Sequence, residues 1–290
     1  MTVFDNLKNN DLSYKDIFNI SFEIYIRNIG PIIVLCFLVG VPLLILAKFV
    51  LFDGIDAILL ENSGNIELEL LYSYDLHGDV EGIMSLMESW DGIPPAWLSK
   101  ISNLVIVFYV IASVVFMPLI ASGLAGLALA TIDNGRGGTM GDMIASSLGN
   151  IFKTSVTSLL VLLFVGAGVA LIFPALYFAV MLAFSVPAIV VTGKWGLGAL
   201  KESAFSTVGR WFKTLGFLVL VMLFFGACLY LLNMIGMLIL QFLPYYEIFG
   251  YVFIVIFSIM FMYFTLTQCV WFINKHYMLE NLRKSRNSGE

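Results

Sequence analysis

The sequence predicts an all-α integral membrane protein of about six transmembrane helices, and three observations predict it. Sixty per cent of the 290 residues are hydrophobic and only 12% are charged, against about 25% charged in an ordinary soluble domain. The mean hydropathy is +0.96. A soluble fold of this size could not cover so much apolar surface, so the bilayer must be the solvent for most of it. The apolar residues also gather into runs of about 20, the length a helix needs to cross a bilayer. Lys and Arg then collect in alternate gaps between those runs, as they do on the cytoplasmic side of a membrane protein.

The elements follow in order. A polar and charged leader precedes the first apolar run, so the reading has no cleavable signal peptide. An interfacial helix is expected over 13–28 and the first span over 29–52. An acidic segment, 53–100, follows. The second span is expected over 101–131, and a second interfacial helix over 139–153. Spans three and four occupy 154–173 and 174–191, divided at Phe173-Pro174. A third interfacial helix covers 197–213. Spans five and six occupy 215–243 and 248–274, divided by the charged turn Pro244-Tyr-Tyr-Glu247. A basic tail, 275–290, ends the chain. The spans thus pair into three hairpins.

Orientation follows from the bases. With the N-terminus inside, 13 Lys and Arg lie inside and only Lys48 and Lys100 outside, which sets both termini in the cytoplasm. The outside segment carries ten acids, Asp53, Asp56, Glu61, Glu67, Glu69, Asp75, Asp79, Glu81, Glu88 and Asp91. Within it Val80, Ile83, Met84, Met87 and Trp90 recur at helical spacing. That spacing predicts a short amphipathic helix with Trp90 and Trp97 at headgroup level. A basic protein partner is the natural occupant of such a loop.

The approaches to the odd-numbered spans share a pattern. The residues are Asp16, Ser21, Arg27 and Gly40; then Asp142, Ser147, Lys153 and Gly166; then Glu202, Thr207, Lys213 and Gly226. The offsets from the acid are 5, 11 and 24 each time. Ser13 before Asp16 and Thr139 before Asp142 resemble capping boxes with Asp in place of Glu or Gln. Each segment reads as an inner-leaflet helix whose final Arg or Lys marks the turn into the membrane. The glycine falls about 20 Å into the span at 1.5 Å per residue, where a small residue permits close helix approach. Ser122, Gly126 and Ala130 form a second small-residue stripe in span two.

The run Ser185-Val-Pro187-Ala-Ile-Val-Val, with Gly193-Lys, Ala199-Leu-Lys-Glu-Ser203 and Gly209-Arg-Trp-Phe-Lys213, resembles a set of six-span bacterial membrane proteins. That set includes the membrane domain found ahead of some glycerophosphoryl diester phosphodiesterases. The likeness is best over 185–226 and extends from about 139 to 274. It implies the six-span fold and a bacterial cytoplasmic membrane. It brings no catalytic residues, because the phosphodiesterase chemistry belongs to a separate soluble domain.

Candidate chemistry is sparse. Between the expected span ends there is no Asp, Glu, Arg or His, which argues against proton pumps and charge-gated channels. Asn233 and Gln241 in span five and Gln268 in span six are candidate polar contacts along a pathway, though such residues commonly bond between helices. Asp75, His77, Asp79 and Glu81 place oxygen and imidazole ligands at alternate positions, but without EF-hand spacing, so no metal site is assigned. Cys36, Cys228 and Cys269 all lie in apolar runs and read as packing residues. No nucleophile, nucleotide or cofactor motif appears, and nothing points to nucleic acid. No cofactor is expected. The pattern sets no oligomeric state. The favoured reading is a non-enzymatic membrane module that binds lipid or a protein partner in a cell-envelope process. The alternative is a transporter or channel-like protein for a small neutral or amphiphilic solute.

Overall fold

The computed structural model describes residues 3–65, 68–70, 80–90, 95–169, 172–240 and 246–288. Among them the chain is all helix. We number the helices α1 (Val3–Asn9), α2 (Tyr14–Arg27), α3 (Ile29–Glu61), α4 (Val80–Glu88), α5 (Ala96–Asn134), α6 (Met140–Gly149), α7 (Ile151–Gly168), α8 (Ile172–Leu182), α9 (Ser185–Thr192), α10 (Leu197–Thr207), α11 (Trp211–Leu240) and α12 (Tyr246–Ser288). Six stretches are long and apolar enough to cross a membrane: Ile29–Glu61, Ala96–Asn134, Ile151–Gly168, Ile172–Thr192, Trp211–Gly236 and Val255–Ser285. The chain is a multi-pass helical membrane protein.

Several helix ends differ from the sequence reading. The first apolar helix runs past Phe52 into the acidic segment, carrying Asp53 and Asp56 in helical conformation. The helix of the last span continues through the basic residues to Ser288. The fourth span is broken at Ala183-Phe184, between α8 and α9. The interfacial helices over 139–153 and 197–213 are shorter than expected. One stops at Gly149 and Asn150, the other at Val208 and Gly209, whose φ of 76° is a left-handed stop. Lys153 and Lys213 therefore sit in the first turn of the following helix. Only Arg27 ends its own helix.

The helix starts obey local chemistry. Asp16 N–H donates to Ser13 Oγ and Ser13 N–H to Asp16 Oδ2, each at 3.3 Å. Thr139 and Asp142 make the same reciprocal pair at 2.8 and 3.2 Å. The Thr139 backbone N–H, and then its hydroxyl, hold the Asp142 carboxyl below its ordinary range. Both are capping boxes, which satisfy donors that the first helical turn leaves orphaned.

The chain divides into two compact units, 1–40 with 113–290, and 41–112. The division falls at π-helical turns, Cys36–Gly40 in α3 and Ala112–Phe116 in α5. In the smaller unit, the last turns of α3 pack on the start of α5, where a Cβ on Gly54 would lie 2.8 Å from Leu104. Lys100 Nζ meets Glu61 at 2.9 Å. Trp97 is buried. The apolar Met84 and Met87 of α4 are exposed.

The core of the larger unit is aromatic and tight. Phe217 and Trp271 stack at 4.3 Å with rings 9° apart, and Phe184 stacks on Phe272 at 6.0 Å. Buried polar groups are tied across helices: Ser147 donates to Leu119 C=O at 2.8 Å, Ser203 to Met181 C=O at 2.8 Å, and Gly196 N–H to Thr157 at 2.9 Å. In a bilayer such packing and bonding, more than the hydrophobic effect, hold helices together. The close approach falls at Gly126, not at the glycines of the spaced pattern. A Cβ there would collide with the Ser146 side chain on α6, whereas one on Gly166 or Gly226 meets nothing within 4 Å.

Gly126→Ala should therefore lower the detergent-solubilised unfolding midpoint, costing about 1–3 kcal/mol through overpacking. Gly166→Ala should leave it level or raise it, since alanine is the better helix former. Equal responses of the two variants in a thermal unfolding assay would contradict this packing.

Candidate functional site

Two features of the larger unit stand out: a clamped cluster of charge and an apolar groove beside it. The cluster begins with Lys275, buried at 2% exposure in α12. Its Nζ reaches Asp11, in the turn between α1 and α2, and lies 4.2 Å from the centre of the Trp271 ring. Lys213 Nζ meets the same carboxylate at 2.9 Å and Arg210 at 3.7 Å. Burial alone would push the Asp11 carboxyl up. The hydrogen bonds and charges of Lys275 and Lys213 outweigh it and lower it to about 2.

Asn274, one residue earlier, reads the neighbouring backbone. Its Nδ2 donates to Leu7 C=O at 2.7 Å and Asn10 C=O at 2.8 Å, and its Oδ1 accepts from Leu12 N–H at 3.5 Å. Asp133 at the end of α5 accepts from Lys8 at 2.8 Å and Tyr277 at 3.0 Å. Asn281 donates to Lys8 C=O at 2.9 Å. The first helix is thus fastened to the last turns of α12.

The groove lies between α2, α11 and α12. Two adjoining cavities, about 650 and 530 Å³, share Phe22, Phe224 and Tyr263 as walls. Asn19 is the one amide on the wall of the first; Cys228, Leu231 and Ile235 extend the second along α11. The walls are braced. Tyr263 donates to Phe18 C=O at 3.2 Å and Tyr25 to Ile259 C=O at 2.9 Å. The Tyr25 and Tyr263 rings meet edge to face at 5.5 Å, as do Phe18 and Phe224 at 5.8 Å. Phe22, Phe224, Leu231 and Ile235 stay exposed. Concave apolar sites of several hundred cubic ångströms are the usual form of a small-molecule site. This one is walled by exposed aromatic carbon, and two of its three helices, α11 and α12, hold stretches long and apolar enough to cross a membrane.

The residues singled out from sequence scatter. Ser21, Ser147 and Thr207 are all buried, bonding to Ile17, Leu119 and Ser203 carbonyls respectively. Asp16 and Asp142 cap helices, while Glu202 pairs with Lys194. Arg27 pairs with Glu23. Gly40 lies in a π turn near Ser258. Asn233 is exposed and Gln268 half-buried, on different helices, and neither lines the cavities above. Gln241 lies outside the described residues, as do Asp75, His77 and Asp79; Glu81 is exposed on α4. Among the described residues no acid, Cys or His cluster could hold a metal. All three cysteines are free: Cys36 and Cys269 are buried, and Cys228 is on the groove.

The sequence reading passed over Asp11, Asn274 and Lys275. Their only signal was a Lys directly after an Asn at the end of the last apolar run. The groove residues gave a fainter one, Phe18, Phe22 and Tyr25 at helical spacing on α2. No protein-family model, curated protein or solved structure matches the chain.

Removing Asp11 leaves a buried, unanswered Lys275, and breaking such a pair costs about 3 kcal/mol or more. Asp11→Asn should thus destabilise strongly, and Asp11→Asn/Lys275→Met should recover part of the loss. Because the folded carboxyl lies below its unfolded value, its contribution is complete above about pH 4. It should fade as pH falls toward about 2. Unfolding midpoints across that window check both; a double variant no better than Asp11→Asn would contradict the clamp.

Proposed function

We propose that this chain is a non-enzymatic membrane module that holds a bilayer lipid, with the basic end facing the cytoplasm of a bacterial cell. The observation that carries this reading is the lateral groove. Its occupant is an acyl chain lying along Phe22, Phe224, Tyr263, Leu231 and Ile235, with the polar end of the lipid toward Asn19. In water such an exposed aromatic face would be a liability. Against lipid it is a binding surface whose rigid rings lose little entropy on contact. The six-span likeness around 185–226 fits this reading, since it too carries no reactive residues.

The acidic segment supplies the second part of the reading, a surface for a basic protein partner. The described acids Asp53, Asp56, Glu61, Glu69, Glu81 and Glu88 are exposed, so they present negative potential for long-range attraction.

Filling the groove should expel the lipid. Cys228→Trp should reduce the phospholipid retained by the purified full-length chain in native mass spectrometry, with an unchanged unfolding midpoint. Retention equal to that of the parent would contradict the groove as the site. Deleting 56–91 should abolish a co-purifying partner while leaving lipid retention intact; an unaltered partner would remove the loop from the proposal.

A further inference from the structure

A second cavity, separate from the groove, carries concentrated positive charge. It has a volume of about 310 Å³ and is lined by Lys194, Gly198, Lys201, Glu202, Phe205 and Arg283. Three cations and one carboxylate therefore share it. Lys194 comes from the turn before α10, the middle four residues from α10, and Arg283 from the last turns of α12. It shares no residue with the groove, so it stands or falls independently of the lipid reading.

The charges are arranged, not merely adjacent. Lys194 bonds to Glu202. That bond first, and then the charges of Lys194, Arg283 and His276, hold the Glu202 carboxyl below its ordinary range against the opposing effect of burial. The acid therefore stays ionised and answers one base. Among the described residues, Lys201 and Arg283 have no ion-pair partner. The Arg283 guanidinium lies 4.7 Å from the centre of the Phe205 ring. A stacked guanidinium keeps its N–H fork oriented at little entropic cost, and that fork matches a tetrahedral oxyanion. Gly198 adds no side chain to the wall between Lys194 and Lys201. The cavity is roomier than a bare oxyanion requires, which leaves space for an ester substituent.

We propose that this cavity binds a phosphate group, with Arg283 as the bidentate donor, Lys201 as the second cation, and Lys194 shared between the ligand and Glu202. The phosphate is borne either by a lipid headgroup or by a soluble molecule, and the two sources separate experimentally. The full-length chain is reconstituted in phosphatidylcholine nanodiscs. One arm titrates inorganic phosphate by calorimetry. The other measures retention of phosphatidylglycerol from nanodiscs containing graded amounts of it. Binding in either arm should weaken about tenfold or more in Lys201→Gln/Arg283→Gln, the scale of a lost charge-assisted bond. Glu202→Gln should tighten it, because it frees Lys194 and removes the one repulsive charge. That gain cannot arise from misfolding. Lys153→Gln, outside the cavity, should change neither arm. Response to phosphate assigns a soluble ligand, and response to phosphatidylglycerol alone assigns a headgroup. Absence of binding in both arms, or binding indifferent to Lys201→Gln/Arg283→Gln and to Glu202→Gln, overturns the site.

Discussion

A single buried cation and the carboxylate that answers it hold the two ends of this chain together. Lys275 is buried, and Asp11 lies 264 residues away in sequence. An ion pair of this kind is weak evidence of net stability, because desolvation takes back much of the attraction. Its worth lies in position. Asn274 beside it bonds to three backbone groups of residues 7–12, so pair and amide together fix where the N-terminal segment rests on α12. Tyr14 then follows in a set place, donating to Lys213 C=O at 2.8 Å and packing on Phe217 and Trp271.

From that anchor the groove follows. With the first turn of α2 fixed, Phe18 and Phe22 lie over α11 and α12 and form the third wall. Without α2, the gap between α11 and α12 would be an open face of the bundle. Hydrocarbon competes for every apolar contact inside a bilayer, so helices there are placed by close packing and polar bonds. The bonds that place α2 run from Tyr14, Tyr25 and Tyr263, each from a hydroxyl to a main-chain carbonyl of another helix. A phenol suits this task because its ring is at home in an apolar wall while its hydroxyl finds a partner.

The class of fold was legible because long apolar runs are strong signals that tertiary context rarely overrides. The capping boxes at Ser13 and Thr139 were legible for a similar reason: the chemistry is local. What failed depended on where a helix stops or on a distant partner. Lys153 and Lys213 were read as helix ends from their spacing to an acid, but the stops at Asn150 and Gly209 come earlier, set by backbone conformation. The glycines at constant offset attract the eye, yet Gly166 and Gly226 face nothing, and Gly126 carries the contact because α6 lies against it. Lys275 was read as tail because it follows an apolar run. Nothing local distinguishes a snorkelling lysine from one paired with a residue near the other terminus. The aromatic walls were hidden among 25 phenylalanines, where composition alone cannot mark which three or four converge.

The most direct measurement is an experimental density map of the full chain in a phospholipid nanodisc. A lipid-holding module should show elongated, chain-like density along Phe22, Phe224, Tyr263, Leu231 and Ile235, and a dry interior around the stacked Phe217–Trp271 and Phe184–Phe272 pairs. An empty groove together with a continuous wet passage through that interior would contradict it and favour a path for solute instead.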